Sequence, residues 1–195
     1  MGMDMLELNS IHKLRPLVGE FEPGTVCLVG AGPGDGSLIS VRGAARLMQT
    51  EVVFYGSGIE PELLALLRGD VKRICIGGDL AHPAWPSDQL NNELVRYVME
   101  GKRVVWLTKG DPFLFNQGFR ISQHLAQAGV FYEVVPGIST VLAGSVMAGI
   151  PLMCAGQSGA VALASRQNDP DVSRGLNFGA LVGMDAIALF MEINE

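Results

Sequence analysis

The chain is poor in the residues that staple or metallate small proteins. Its three cysteines, Cys27, Cys75 and Cys154, are far apart, odd in number and form no Cys-x-x-Cys pair. That usage argues for reduced thiols in a cytoplasm rather than a disulfide framework. The three histidines, His12, His82 and His124, stand at no metal-ligand spacing with them, so no metal is expected. Basic residues are outnumbered, 14 Lys and Arg against 20 Asp and Glu for a net charge of −6. Such a balance speaks against general nucleic-acid binding, which needs a basic surface, while leaving room for a local basic pocket. Long apolar runs are missing too. The stretch from Val134 to Ala164 is interrupted by Pro136 and Pro151, leaving less than the ~20 residues a spanning helix requires, so no membrane partner is expected. Residues 1–24 carry acids where a secretory signal would place an apolar core.

What is abundant is buried-strand material. Of 195 residues, 48% are hydrophobic, enough for one large or two small domains. Apolar, β-branched runs at Thr25–Val29, Glu51–Tyr55, Val71–Ile76, Arg103–Leu107, Phe131–Val135, Ala160–Ala164 and Ala186–Met191 alternate with helical patterns. In one of these, Ser87 is read as the N-cap of a helix with Leu90, Leu94, Val95 and Val98 on one face, ending at Gly101. Pro61 suits the first turn of a helix running through Glu62–Leu67. The alternation predicts an α/β fold with mostly parallel sheets. We read residues 1–24 as a leader or flexible arm, 25–135 as an N-terminal α/β domain and 136–195 as a partial, truncated C-terminal α/β domain. The boundary is set by Pro136-Gly137 and by the small-residue segment Ile138–Ala148, a helix expected to pack closely on its neighbours. The last apolar strand has no closing helix after it, so a partner chain or missing sequence is expected to cover its edge.

Two loops draw the functional reading. Val29-Gly-Ala-Gly-Pro-Gly-Asp35 follows the first strand, and Thr108-Lys-Gly-Asp-Pro112 follows the fourth. In open α/β sheets ligands bind beyond the carboxyl ends of the strands. A dinucleotide fingerprint fails on spacing, because Asp35 or Ser37 stands where the last glycine is needed. Pro33 also lacks the N–H that a phosphate cradle uses, and the Asp35 carboxylate would repel a pyrophosphate. A cofactor-like ligand without phosphates, with a positive centre or an amino-acid moiety, fits better. Asp111 could accept from an ammonium or from ribose hydroxyls. Either loop alone reads more readily as a tight turn; the pair at one sheet edge favours a site.

Val29–Asp35, Val41-Arg-Gly43, Lys109-Gly-Asp-Pro-Phe113, Val134-Val-Pro-Gly-Ile-Ser-Thr140 and Ala148-Gly-Ile-Pro-Leu152 occur in order and together resemble the tetrapyrrole (corrin/porphyrin) methylase family, its uroporphyrinogen-III C-methyltransferase branch above all. The resemblance implies two α/β domains with S-adenosylmethionine in the cleft between them, S-adenosylhomocysteine as product, a homodimer, a tetrapyrrole substrate and a role in sirohaem or cobalamin biosynthesis. It carries over Pro33, Lys109, Gly110, Asp111, Leu114, Ser139, Thr140 and Met191 as cofactor positions. Ser139 and Thr140 would then lie near a helix N-terminus, where free N–H groups suit a carboxylate.

The departures concern the chemistry. The branch's candidate aspartate after the second strand is Gly56 here, and its lysine after the third is Gly78. Asp79 and His82 are the nearby substitutes. Lys109 stands where the family loop has glycine, Met153-Cys-Ala155 replaces a Thr-His-Arg, and family members continue past the Met191 position. A polycarboxylate ring needs cations, for which Arg42, Lys109 and Arg120 are the candidates. Three readings follow: a tetrapyrrole C-methyltransferase, a methyltransferase of the same fold with another substrate, and a paralogue that binds cofactor or tetrapyrrole without turnover.

Overall fold

The computed structural model describes residues 16–78, 84–156, 159–166 and 177–191. It divides into two compact units, residues 1–140 and 141–195. In the first unit, strands β1 (Thr25–Gly30), β2 (Val52–Tyr55), β3 (Lys72–Cys75), β4 (Arg103–Thr108) and β5 (Phe131–Val135) form one sheet. Their order is β3-β2-β4-β1-β5, and every pairing is parallel.

Side-chain alternation divides the core between the two faces of this sheet. Cys27 and Val29 point into one cluster with Leu47, Val53, Leu63, Val105 and Leu107. Val26 and Leu28 point into the other with Phe54, Leu90, Leu94, Val104, Trp106 and Leu125. Helix α1 (Val41–Gln49) begins at Ser40, whose hydroxyl accepts from the Gly43 amide at 3.1 Å, and contributes Leu47 to the first cluster. Helix α2 (Pro61–Leu64) has proline in its first turn, as the sequence suggests, and is shorter than expected. Helix α3 (Ser87–Met99) presents Leu90, Leu94, Tyr97 and Val98 to the second cluster, and α4 (Gly118–Gln127) presents Ile121 and Leu125. Ser87 is the first residue of α3 and not its cap. Pro86 takes the cap position without a side-chain bond.

Residues 16–24 are no loose arm. Val18 and Phe21 are buried, the Val18 and Gly19 carbonyls accept from Arg46, and the Phe21 carbonyl accepts from Arg103. The apolar pair and the two arginines tie down this part of the segment read as a leader or flexible arm. Residues 1–15 lie outside the described range.

The second unit begins within helix α5 (Thr140–Met147), past the boundary expected at residue 136. Residues 136–140 stay with the first unit because Gly137 and Thr140 pack on its loops. Within 138–148, Ser139 is buried and Thr140 meets Gly110, while in α5 itself Ala143 is buried and a Cβ on Gly144 would meet nothing within 4 Å. Strands β6 (Val161–Arg166) and β7 (Ala186–Met191) pair in parallel, with α6 (Phe178–Leu181) between them in sequence. Asp185 Oδ2 ties the entry of β6 by accepting from Gly159 N at 2.8 Å and Ala160 N at 3.0 Å.

Candidate functional site

Because β4, β1 and β5 are adjacent and parallel, the loops leaving their carboxyl ends emerge side by side. The expectation that the two glycine loops share an edge is met by direct bonding. Gly110 N donates to Gly32 O at 2.7 Å and Gly32 N to Gly110 O at 3.3 Å. The third loop, after β5, closes on both. A Cβ on Gly30 would lie 2.5 Å from Gly137 N and 2.6 Å from Gly110 O, so three stretches of backbone meet where no side chain fits. Gly110 adopts φ 68°, in the left-handed region that glycine tolerates. A Cβ there would lie 3.3 Å from Thr140 Oγ1.

Asp111 braces the edge. Its Oδ1 accepts from Phe113 N at 2.8 Å and its Oδ2 from Gly137 N at 3.2 Å. Both oxygens keep lone-pair capacity for a further donor. Asn116, which the sequence reading missed, holds the same loop shut: its amide donates to Lys109 O at 2.9 Å and Asp111 O at 2.7 Å, while Thr108 Oγ1 donates to its Oδ1. No spacing rule marks such an asparagine; only the closed loop shows which carbonyls it serves. Phe115 in this loop has φ 58°, a conformation strained for a bulky side chain.

The other nominated residues divide clearly. Pro33 belongs to the β1 loop, Ser139 is buried just before α5 and Thr140 opens it, and Leu114 is half-buried in the β4 loop. Met191 ends β7 opposite Arg166 in the second unit. Asp35 caps the 3₁₀ turn Gly36–Leu38, accepting from Ser37 N at 2.8 Å and Oγ at 2.6 Å. Those bonds hold its carboxyl below the usual range. Arg42 is engaged: Nη1 lies 3.6 Å from Glu133 Oε1. The same carboxylate takes buried Arg46 at 2.7 Å. Cys27 Sγ sits 3.8 Å from Glu133. Burial first, then the Glu133 charge, push this thiol far above its ordinary value, which makes it inert. Arg120 lies exposed on α4.

Gly56 and Gly78 sit beyond β2 and β3. A Cβ on Gly56 would meet Gly77 O at an ordinary 3.6 Å, whereas Gly78 has φ 104°. Asp79 and His82 lie outside the described residues. The loop after β2 brings a different acid to the edge, Glu60, whose Oε1 is 3.5 Å from Lys109 Nζ. Among the described residues no group of three or more His, Cys, Asp or Glu is arranged to hold a metal ion, and no helix is long and apolar enough to cross a membrane.

An all-parallel five-stranded sheet with three glycine-bearing loops closed on one another at one edge defines an α/β protein. The profile of the Tetrapyrrole (Corrin/Porphyrin) Methylases matches residues 25–194, and the chain belongs to this family. It is 38% identical over 169 residues to Siroheme synthase 1 of Pectobacterium atrosepticum, covering 86% of this chain and 35% of that protein. The chain therefore spans about a third of the length of this relative. Uroporphyrin-III-C-methyltransferase from Thermus thermophilus superposes with a TM-score of 0.67 at 28% identity, over 78% of this chain and 64% of that one. A structure of uroporphyrin-III C-methyl transferase from the same organism, complexed with S-adenosylhomocysteine, gives 0.60 at 31% identity, over 72% and 55%.

Proposed function

We propose that this chain is an S-adenosylmethionine-dependent C-methyltransferase acting on a tetrapyrrole of the uroporphyrinogen-III or precorrin kind, in sirohaem or cobalamin biosynthesis. The observation that carries the reading is the meeting of Gly30, Gly110 and Gly137 beside Asp111. The glycines let the three loops close on one another, and the closed loops hold at this edge a partly exposed carboxylate bound by two N–H groups, which suits a cationic, phosphate-free cofactor. When bound, S-adenosylmethionine supplies an already activated methyl group, so the protein's share of the work is mainly alignment. Asp111, with Gly110 and Pro33, would orient that ligand. Ser139 and Thr140 would meet its carboxylate at the start of α5. Leu114 and Lys109 complete the set in the first unit, and Met191 is carried over from the family resemblance alone.

Arg42, Lys109 and Arg120 are the cations offered to substrate carboxylates; Arg42 also lies beside Glu133 and Lys109 beside Glu60. A homodimer working in the cytoplasm goes with the same reading. Gly56 and Gly78 favour one further reading, a paralogue that binds without turnover.

Calorimetric titration with S-adenosylmethionine and S-adenosylhomocysteine tests the cofactor, and turnover of uroporphyrinogen III tests the activity. Binding with turnover supports the methyltransferase. Binding without turnover supports the paralogue, and absence of both overturns the proposal.

A further inference from the structure

Glu60 follows β2 through a turn closed by Ile59 N donating to Gly56 O at 3.2 Å. It reaches the loops after β4, the strand beside β2, and after β1, the strand beyond that: Lys109 Nζ lies 3.5 Å from its Oε1, and a Cβ on Gly34 would lie 3.3 Å from the same oxygen. Its other oxygen, Oε2, is buried and has no hydrogen-bond partner among the described residues; Ser57 Oγ, in the same turn, is equally buried and unpartnered. This is a poor structural salt bridge. Arg46 meets Glu133 at 2.7 Å and Arg96 meets Glu93 at 2.6 Å, whereas Lys109 makes a single 3.5 Å contact with half its side chain exposed. Such a contact is worth little, while an unpaired buried carboxylate oxygen costs stability. Nor does Glu60 cap α2, since it makes no side-chain cap bond there. The arrangement is costly to the fold and sits on the edge where the ligand is proposed to lie.

We propose that Glu60 is the proton acceptor of the reaction, with Lys109 as the positioning residue that holds its Oε1 at the sheet edge; this rests on the methyltransferase reading above. A pyrrole-type ring carries N–H donors. Rotation about the terminal torsion of Glu60, a soft twofold motion, presents the unpartnered oxygen to one of them. When a ring carbon gains the methyl group, a ring π pair becomes the new C–C bond and the old C–S pair stays on sulfur. The positive charge left on the ring is shared by its nitrogen. Transfer of the N–H proton to Glu60 leaves that bonding pair on the ring and neutralises it, so the acid at position 60 does what the glycine at 56 cannot.

The test compares the unaltered chain with Glu60→Gln, Glu60→Asp, Lys109→Met and Lys109→Arg, using uroporphyrinogen III as substrate. Glu60→Gln is expected to bind S-adenosylhomocysteine within about threefold of the parent while kcat falls about a hundredfold or more, the range of a general base. Glu60→Asp is expected to recover part of that loss. Lys109→Met is expected to lower kcat as well, because Glu60 loses the contact that positions it, and Lys109→Arg to recover part of that loss. A Glu60→Gln variant turning over within about threefold of an active parent overturns the proposal alone. Loss of cofactor binding in that variant marks Glu60 as structural and overturns it too. An inactive parent overturns the functional reading and this inference with it.

Discussion

The Asp111 carboxylate spans two loops: it accepts from Phe113 N within its own loop and from Gly137 N beyond β5, at 2.8 and 3.2 Å. One side chain thus sets the distance between the ends of β4 and β5, two strands that flank β1 without touching each other.

Removing that brace has a defined cost. Hydrogen bonds to a charged group contribute about 1.5–3 kcal/mol each at most, and these two are partly exposed. Asp111→Ala is therefore expected to lower affinity for S-adenosylhomocysteine by about tenfold or more, with a smaller loss of thermal stability. Titration calorimetry and a melting curve on the same preparation separate the two effects.

The glycines differ sharply in what they tolerate. Gly30→Ala drives a Cβ into the backbone of Gly137 and Gly110, neither of which can swing aside. We expect a loss of about 3 kcal/mol or more, the upper range of overpacking, read from the urea midpoint. Gly144→Ala sits in α5 with open space around it and is expected to stabilise by about 1 kcal/mol through helix propensity.

Arg46 is 3% exposed and bound to Glu133 Oε2 at 2.7 Å and to the Val18 carbonyl at 2.9 Å. Arg46→Met leaves that carboxylate short of its main partner and frees residues 18–21. The expected cost is about 3–5 kcal/mol, measurable by chemical denaturation, together with faster proteolysis of the N-terminal segment.

Restoring the residues usual in the uroporphyrinogen branch is predicted to be unequal. Gly56→Asp places its Cβ in ordinary contact and leaves the fold intact, whereas Gly78→Lys must hold φ 104° and is expected to cost about 1–3 kcal/mol. Melting temperatures of the two variants check this directly.

Acid sensitivity has a predictable sign. Asp185 is held below the ordinary carboxylate range by the Gly159 and Ala160 amides, and Glu51 by the Arg103 amide, with Lys102 and Arg103 adding to it. A depressed folded value means that these groups stabilise fully above the unfolded pKa, about 4, and lose that contribution as pH falls through the folded value. Melting temperature should therefore drop below about pH 4. Asp185→Asn and Glu51→Gln should each make that drop shallower, while a variant with the parent's slope would discount its site.

Much of the fold was legible because buried parallel strands are short, apolar and punctuated by glycine. All seven expected strands appear, and Pro61 and Gly101 mark a helix start and a helix end as expected. Local signals failed where tertiary contacts outweighed them. The segment up to Gly24 reads as a leader or flexible arm, yet Val18 and Phe21 within it are buried. Ser87 reads as a cap, yet Pro86 takes that place.

The sequence by itself determined the strand and helix succession, the two glycine loops and the family, since these rest on local chemistry and on the order of motifs along the chain. Tertiary structure alone decided that β4 lies beside β1, which joins Gly32 to Gly110, and that the loop after β2 delivers Glu60 to Lys109. Residues 60 and 109 are far apart in the chain, and no periodicity connects them. They meet because sheet order, fixed by how strands bury their two faces, determines which loops become neighbours.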